Sequence, residues 1–107
     1  MIVRTWTGRT TPADAAAYER LVTQEIPPSI AAAAGDGYRG HEVARRDRPE
    51  EDLVEFLTVL RFDSYDAVQA MAGEEYGRAH IPDEARELLA DHDEWARHYE
   101  VVEREDA

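Results

Sequence analysis

Arg4, Trp6, His41, His80 and His98 are the residues of this 107-residue chain best suited to chemistry on a small organic molecule. Arg4 and Trp6 are two positions apart, and on a strand that spacing puts them on one face. A guanidinium there can hold a phenolate or enolate, and an indole beside it can stack on an aromatic ring. The competing reading is an interface ion pair for Arg4 and a core role for Trp6. Imidazole exchanges protons near neutral pH, so His41 and His98 are the candidate bases. Against that stand a surface histidine on an edge strand and a hydrogen-bonded structural histidine. His80 is either a cavity acid/base or a helix-end residue interacting with the dipole. His92, Asp93, Glu94 and His98 do not make a metal-ligand set at this spacing, so no metal site is expected.

Composition removes many alternatives. The chain has no cysteine, which excludes disulfides, thiolate metal ligands and a cysteine nucleophile. All 12 basic residues are arginine, so Schiff-base chemistry through lysine is excluded. Ser29 and Ser64 lie in no nucleophile-elbow pattern. No Gly-rich phosphate loop or dinucleotide fingerprint is present, so neither flavin nor NAD is expected. A formal charge of -12 disfavours nucleic acid and anionic membranes as partners. No apolar run nears the ~20 residues that cross a bilayer, and the first residues lack a signal-peptide core. The expectation is a cytoplasmic protein.

The elements that must position these side chains follow from periodicity. Residues 2–8 read as a strand with Ile2, Arg4 and Trp6 on one face. Thr11-Pro12-Ala13-Asp14 opens a helix through Leu21 and Val22, which Pro27-Pro28 must break or kink. Residues 38–46 form a second strand, with His41, Val43 and Arg45 opposite Tyr38 and Gly40. A polar hairpin over 47–52 leads to the third strand, 53–62, which is apolar on both faces. Ser64 caps a second helix. Gly73 interrupts it, and two shorter helices are expected over 74–80 and from Pro82. The last strand is expected over 94–102. The result is one domain, 1–103, with a charged tail, 104–107.

The order β-α-β-β-α-β is the split βαβ pattern of an α+β, ferredoxin-like fold with a four-stranded antiparallel sheet. Two helices can cover only one face. The doubly apolar third strand therefore predicts a homodimer that covers the other face, with sheets packed around a cavity and on the order of 1,500 Å² buried.

Several segments, in this order, resemble the antibiotic-biosynthesis monooxygenase family: Ile2-Val3-Arg4-Thr5-Trp6, Gly37-Tyr38-Arg39-Gly40, Val54-Glu55-Phe56-Leu57, Phe62-Asp63-Ser64, Ala72-Gly73-Glu74, Arg78-Ala79 and Arg97-His98-Tyr99-Glu100-Val101. The resemblance implies a dimeric α/β barrel with one cavity per subunit. It also implies cofactor-independent oxygenation of an aromatic or polyketide-type substrate. Phe62 stands where relatives carry a cavity Trp, which places Trp6, Phe56, Thr58, Phe62, Met71 and His80 in the expected cavity, with Leu57 and Val59 facing the helices. The run Tyr76 to His80 resembles the segment presenting the axial histidine in haem-degrading relatives. Asparagine is absent from the chain, so the resemblance implies weak haem binding at most and no haem degradation. A non-redox cyclase or isomerase and a ligand-binding module without turnover are the other readings.

Overall fold

The computed structural model describes residues 1–107. Three long strands form the sheet: β1 (Ile2–Thr10), β2 (Tyr38–Arg48) and β3 (Leu53–Phe62). Two short pieces, β4 (Asp91–His92) and β5 (Arg97–Glu100), both pair with the free side of β1. The lateral order is β2-β3-β1 with β4 and β5 outermost, and every pairing is antiparallel. This is the ferredoxin-like arrangement, but the strand expected over 94–102 is cut to β5 and β4 is an additional piece before it, so the edge position is divided in two and the sheet has five strands, not four.

The division has a local cause. Between the two pieces, Asp93 still donates its amide to Thr7 O at 3.0 Å. Ala96 donates instead to Gly77 O, and Ala79 donates to Glu94 O. The segment 77–79 thus pairs with 94–96. That use of its backbone groups explains why 74–80 forms turns and not the expected helix. Gly73, at φ 83°, ends α3 (Tyr65–Ala72), whose first turn is capped by Ser64. Pro82 precedes α4 (Asp83–Leu88).

The first helical segment is widened at its prolines. It runs as α1 (Ala15–Arg20), a π-turn over Leu21–Glu25, and α2 (Ile26–Ala34). Pro27 and Pro28 lack donors, and their rings collide with carbonyls four residues back. The chain relieves this by one extra residue per turn, so that the Ile26 amide reaches Leu21 O. The prolines then occupy the first turn of α2, where missing donors cost little.

All helices cover one face of the sheet, and the facing row of β3 is Val54, Phe56, Thr58, Leu60 and Phe62. Two buried clusters form there. One joins Val54 and Phe56 to Tyr18, Leu21 and Val22; the other joins Leu60, Phe62 and Ile2 to Ala34, Ala67 and Val68. This reverses the expected facing of β3. Leu57, expected beneath the helices, is 37% exposed on the open face, whereas Phe56 and Phe62 are fully buried. The cavity position assigned to both phenylalanines is therefore corrected. Phe56 packs on Tyr18 with ring centroids 5.0 Å apart, and Phe62 on Tyr38 at 5.8 Å.

Phe62→Ala or Phe56→Ala should cost about 3–5 kcal/mol of folding stability, as expected for deleting a buried ring. Urea unfolding monitored by circular dichroism measures this. A loss below about 1 kcal/mol would mean that the ring is not a core residue.

Candidate functional site

The two core clusters leave a gap at Thr58, the one polar residue in the inward row of β3. A cavity of about 320 Å³ opens there between sheet and helices, lined by Arg4, Trp6, His41, Thr58, Met71 and His80 among others. It lies within one chain and not between two sheets, which corrects the expected location. The helix side supplies Val22, Ile26, Pro27 and Ile30. Val22, Ile26 and Ile30 recur every four residues, a helical spacing that could have flagged them in the sequence. The π-turn lies directly along this wall.

Cross-strand register aligns the polar groups. His41 pairs with Leu60, Leu60 with Arg4, and Arg4 with His98. The three candidate catalytic residues thus occupy one row across four strands. Two strand spacings of roughly 4.8 Å separate the backbones of His41 and Arg4.

His41 reaches the cavity because β2 contains a bulge. The register shifts between Tyr38 and Gly40, so Tyr38 and His41 share the helix face, although simple alternation separates them. Gly40 has φ 120°, a conformation other residues resist, and a Cβ there would come within 2.9 Å of the Arg61 guanidinium. The bulge brings Tyr38 Oη to 3.0 Å from His41 Nδ1. When Nδ1–H donates to that hydroxyl, Nε2 keeps its lone pair free to take a proton. Tyr38 was missed as a site residue; the Tyr-Arg-Gly-His run with its central glycine is the signal that could have found it. Burial raises the Tyr38 pKa, and nearby Arg61 partly offsets this.

Arg4 is buried, at 7% exposure. Its Nη1 donates to the Tyr76 carbonyl and lies 3.0 Å from His98 Nε2, which must then accept as a neutral imidazole. Arg4 takes part in no ion pair, whereas the arginines at 9, 39, 45, 48 and 61 all do. Burial lowers its pKa.

His98 does not line the cavity. Its ring sits behind Arg4 and edge-on to Tyr76, with centroids 4.9 Å apart. It positions Arg4 and leaves His41 as the base candidate. Burial, and secondly the Arg4 charge, lowers the His98 pKa.

Trp6 lies over Gly8, where a Cβ would approach its ring to 3.1 Å. Its Nε1–H donates to Asp93 O at 2.8 Å. Met71 lines the wall as expected. His80 lies at the mouth and is exposed, with Nε2 3.1 Å from the carbonyl of Ala72, the last residue of α3. A carbonyl only accepts, so this Nε2 carries the proton and caps the helix. In this arrangement His80 offers a tetrapyrrole no free axial nitrogen. The volume is at the small end of the roughly 300–1,000 Å³ of ligand sites, and the Nε2 of His80, the histidine of the expected axial segment, is occupied. No group of three His, Asp or Glu residues is placed to hold a metal ion.

The Arg4–His98 contact has a measurable signature. His98 should titrate below the ordinary histidine pKa by NMR, and Arg4→Gln should raise its midpoint. Because the unfolded state takes this proton first, stability should fall as pH drops below the ordinary histidine pKa toward the depressed folded value. His98→Gln should flatten that slope. An unshifted midpoint in Arg4→Gln would show that the two residues do not interact.

No protein-family model and no curated protein sequence matches the chain. Solved structures do. A candidate antibiotic biosynthesis monooxygenase from Bacillus cereus superposes with a TM-score of 0.63 at 16% identity, over 99% of this chain and 95% of that one. A point mutant of MhuD, solved with two manganese protoporphyrin IX molecules per active site, gives 0.64 at 17% identity over the full length of both chains. A candidate antibiotic biosynthesis monooxygenase from Chloroflexus aurantiacus gives 0.51 at 18% identity, over 98% of this chain and 96% of that one. The chain therefore has the ferredoxin-like fold of these proteins across its whole length.

Proposed function

We propose that the chain belongs to the antibiotic-biosynthesis monooxygenase family and oxygenates an aromatic, polyketide-type small molecule with the substrate as its own electron source. The observation that carries this reading is the His41–Leu60–Arg4 row. His41 and the buried Arg4 stand two strand spacings apart on the sheet wall of one largely apolar cavity that Trp6 also lines, which suits a base and a cation acting on one ligand. His41 Nε2 takes a proton from an activated ring CH₂, and Arg4 stabilises the negative charge as it spreads onto oxygen. The carbanion adds to dioxygen and, once protonated, becomes a hydroperoxide. Loss of water, using the second hydrogen of that carbon, leaves a carbonyl. One CH₂ and one O₂ thus become one C=O and one H₂O.

The homodimer is part of the same proposal. Val3, Leu57, Val59 and Tyr99 share the face that no helix covers, and Leu57 and Tyr99 are exposed there. A second copy laid on this face would bury them. Light scattering at micromolar concentration should return twice the chain mass; a monomer mass would remove this part of the reading.

Oxygen uptake with anthrone as substrate tests the chemistry. The protein should accelerate uptake over the spontaneous rate, and His41→Ala should lower kcat by about 10²–10⁴-fold, the range for losing a general base. Full activity in His41→Ala would exclude it as the base. Conversion of the substrate without oxygen uptake would favour the cyclase or isomerase reading.

A further inference from the structure

Arg4 presents an electrostatic imbalance that the fold does not resolve. The protein carries 24 acidic residues, yet none lines the cavity and none pairs with the buried Arg4. Both protein contacts of the guanidinium run through Nη1, to Tyr76 O and His98 Nε2. Nε and Nη2 make no hydrogen bond, yet neither is a sealed, orphaned donor; Thr10 Oγ1 is the single side-chain atom in that condition. Since Arg4 lines the cavity, that is where these two donors are reached.

Nε–H and Nη2–H point the same way from a planar guanidinium and match the two oxygens of a carboxylate. A phenolate offers one oxygen and would leave a donor unused. Nη1, the group that would spoil this side-on approach, is already held away by Tyr76 and His98. The rest of the lining is largely apolar, with the Trp6 indole beside Arg4, so the body of the ligand is aromatic or aliphatic. Two strand spacings of roughly 4.8 Å between the Arg4 and His41 backbones suit a bicyclic ring system better than a single ring.

We infer that the cavity selects aromatic monocarboxylates, whose carboxylate docks side-on to the Nε/Nη2 edge of Arg4 while the ring extends past Trp6 toward His41. This rests on the cavity being the small-molecule site proposed above, and it narrows the substrate to one that arrives already charged. A carboxylate conjugated with the ring shares the charge that deprotonation creates, so the same cation serves binding and reaction. His98 is the positioning residue that keeps Nη1 turned away.

The test compares 2-naphthoate with its uncharged isostere 2-naphthamide. Trp95→Phe leaves Trp6 as the single tryptophan, so quenching of its fluorescence reports occupancy of this cavity. Naphthoate should bind at least roughly tenfold more tightly than naphthamide, as a charge-assisted bidentate pair implies. Arg4→Gln should remove that preference, weakening naphthoate binding by far more than naphthamide binding. Arg4→Lys, which keeps the charge but loses the paired donors, should retain only part of it. Equal affinities for acid and amide in the protein with Arg4 intact would overturn the inference, and that comparison does not depend on any Arg4 variant folding. A preference that survives Arg4→Gln would overturn it as well. Oxygen uptake reads the oxygenase proposal separately. Arg4-dependent naphthoate binding with no catalysed uptake on any aromatic acid would retain the ligand class and reject the oxygenase. Uptake on neutral substrates without acid preference would do the reverse.

Discussion

A buried arginine with no carboxylate partner is the constraint around which this small domain is arranged. Burying a charge is costly unless hydrogen bonds and counter-charges compensate. Arg4 has only a backbone carbonyl and a neutral imidazole at one nitrogen. Both come from the side of β1 away from β3. His98 comes from β5, and Tyr76 from the segment that joins α3 to the turn paired with residues 94–96. The break between β4 and β5 lets the chain serve β1 and that segment in succession. The irregular edge of the sheet thus supports the cation from behind while its front faces the cavity.

The cavity itself depends on two departures from regular geometry. One is the bulge at Gly40, which turns His41 to the helix side of β2. The other is the π-turn before Pro27, which widens the helical wall opposite. Each adds one residue to a regular repeat, and each has an evident local origin in a glycine or a proline pair. Between them, Thr58 interrupts an otherwise apolar row, so the core closes as two clusters with a space between. A residue as bulky as the phenylalanines at 56 and 62 would narrow that space.

The outer surface has a different logic. Arg9 contacts Glu55, Asp91 and Asp93 from a partly buried position, and in the open Arg39 pairs with Asp63 and Arg45 with Glu19 and Asp47. Such pairs contribute little individually, typically about 0.2–1 kcal/mol or less. They leave the protein strongly acidic outside, with a positive, acid-free cavity within. A charged ligand entering that cavity would leave a like-charged surface for a site of opposite sign. No helix is long and apolar enough to cross a membrane.

Much of the fold was legible in the sequence because it rests on local periodicity. The third strand was read with its observed bounds, Arg4 and Trp6 were placed on one face, and the Ser64 cap and the split βαβ order followed from residue types alone. Alternation divides a strand into two rows but does not say which row meets the helices when both are apolar. That choice fell to tertiary packing, where Tyr18 and Tyr38 enclose Phe56 and Phe62. The bulge lay outside the sequence reading because strict alternation assumes no extra residue, and so Tyr38 and His41 were put on opposite faces. The turns over 74–80 carry a helix-compatible sequence, but their backbone groups are claimed by residues 94–96, more than a dozen positions away. His41, Arg4 and His98 were each singled out by chemistry. Their alignment in one row, with Arg4 between cavity and histidine, was decided by strand register, a long-range property that no local pattern encodes.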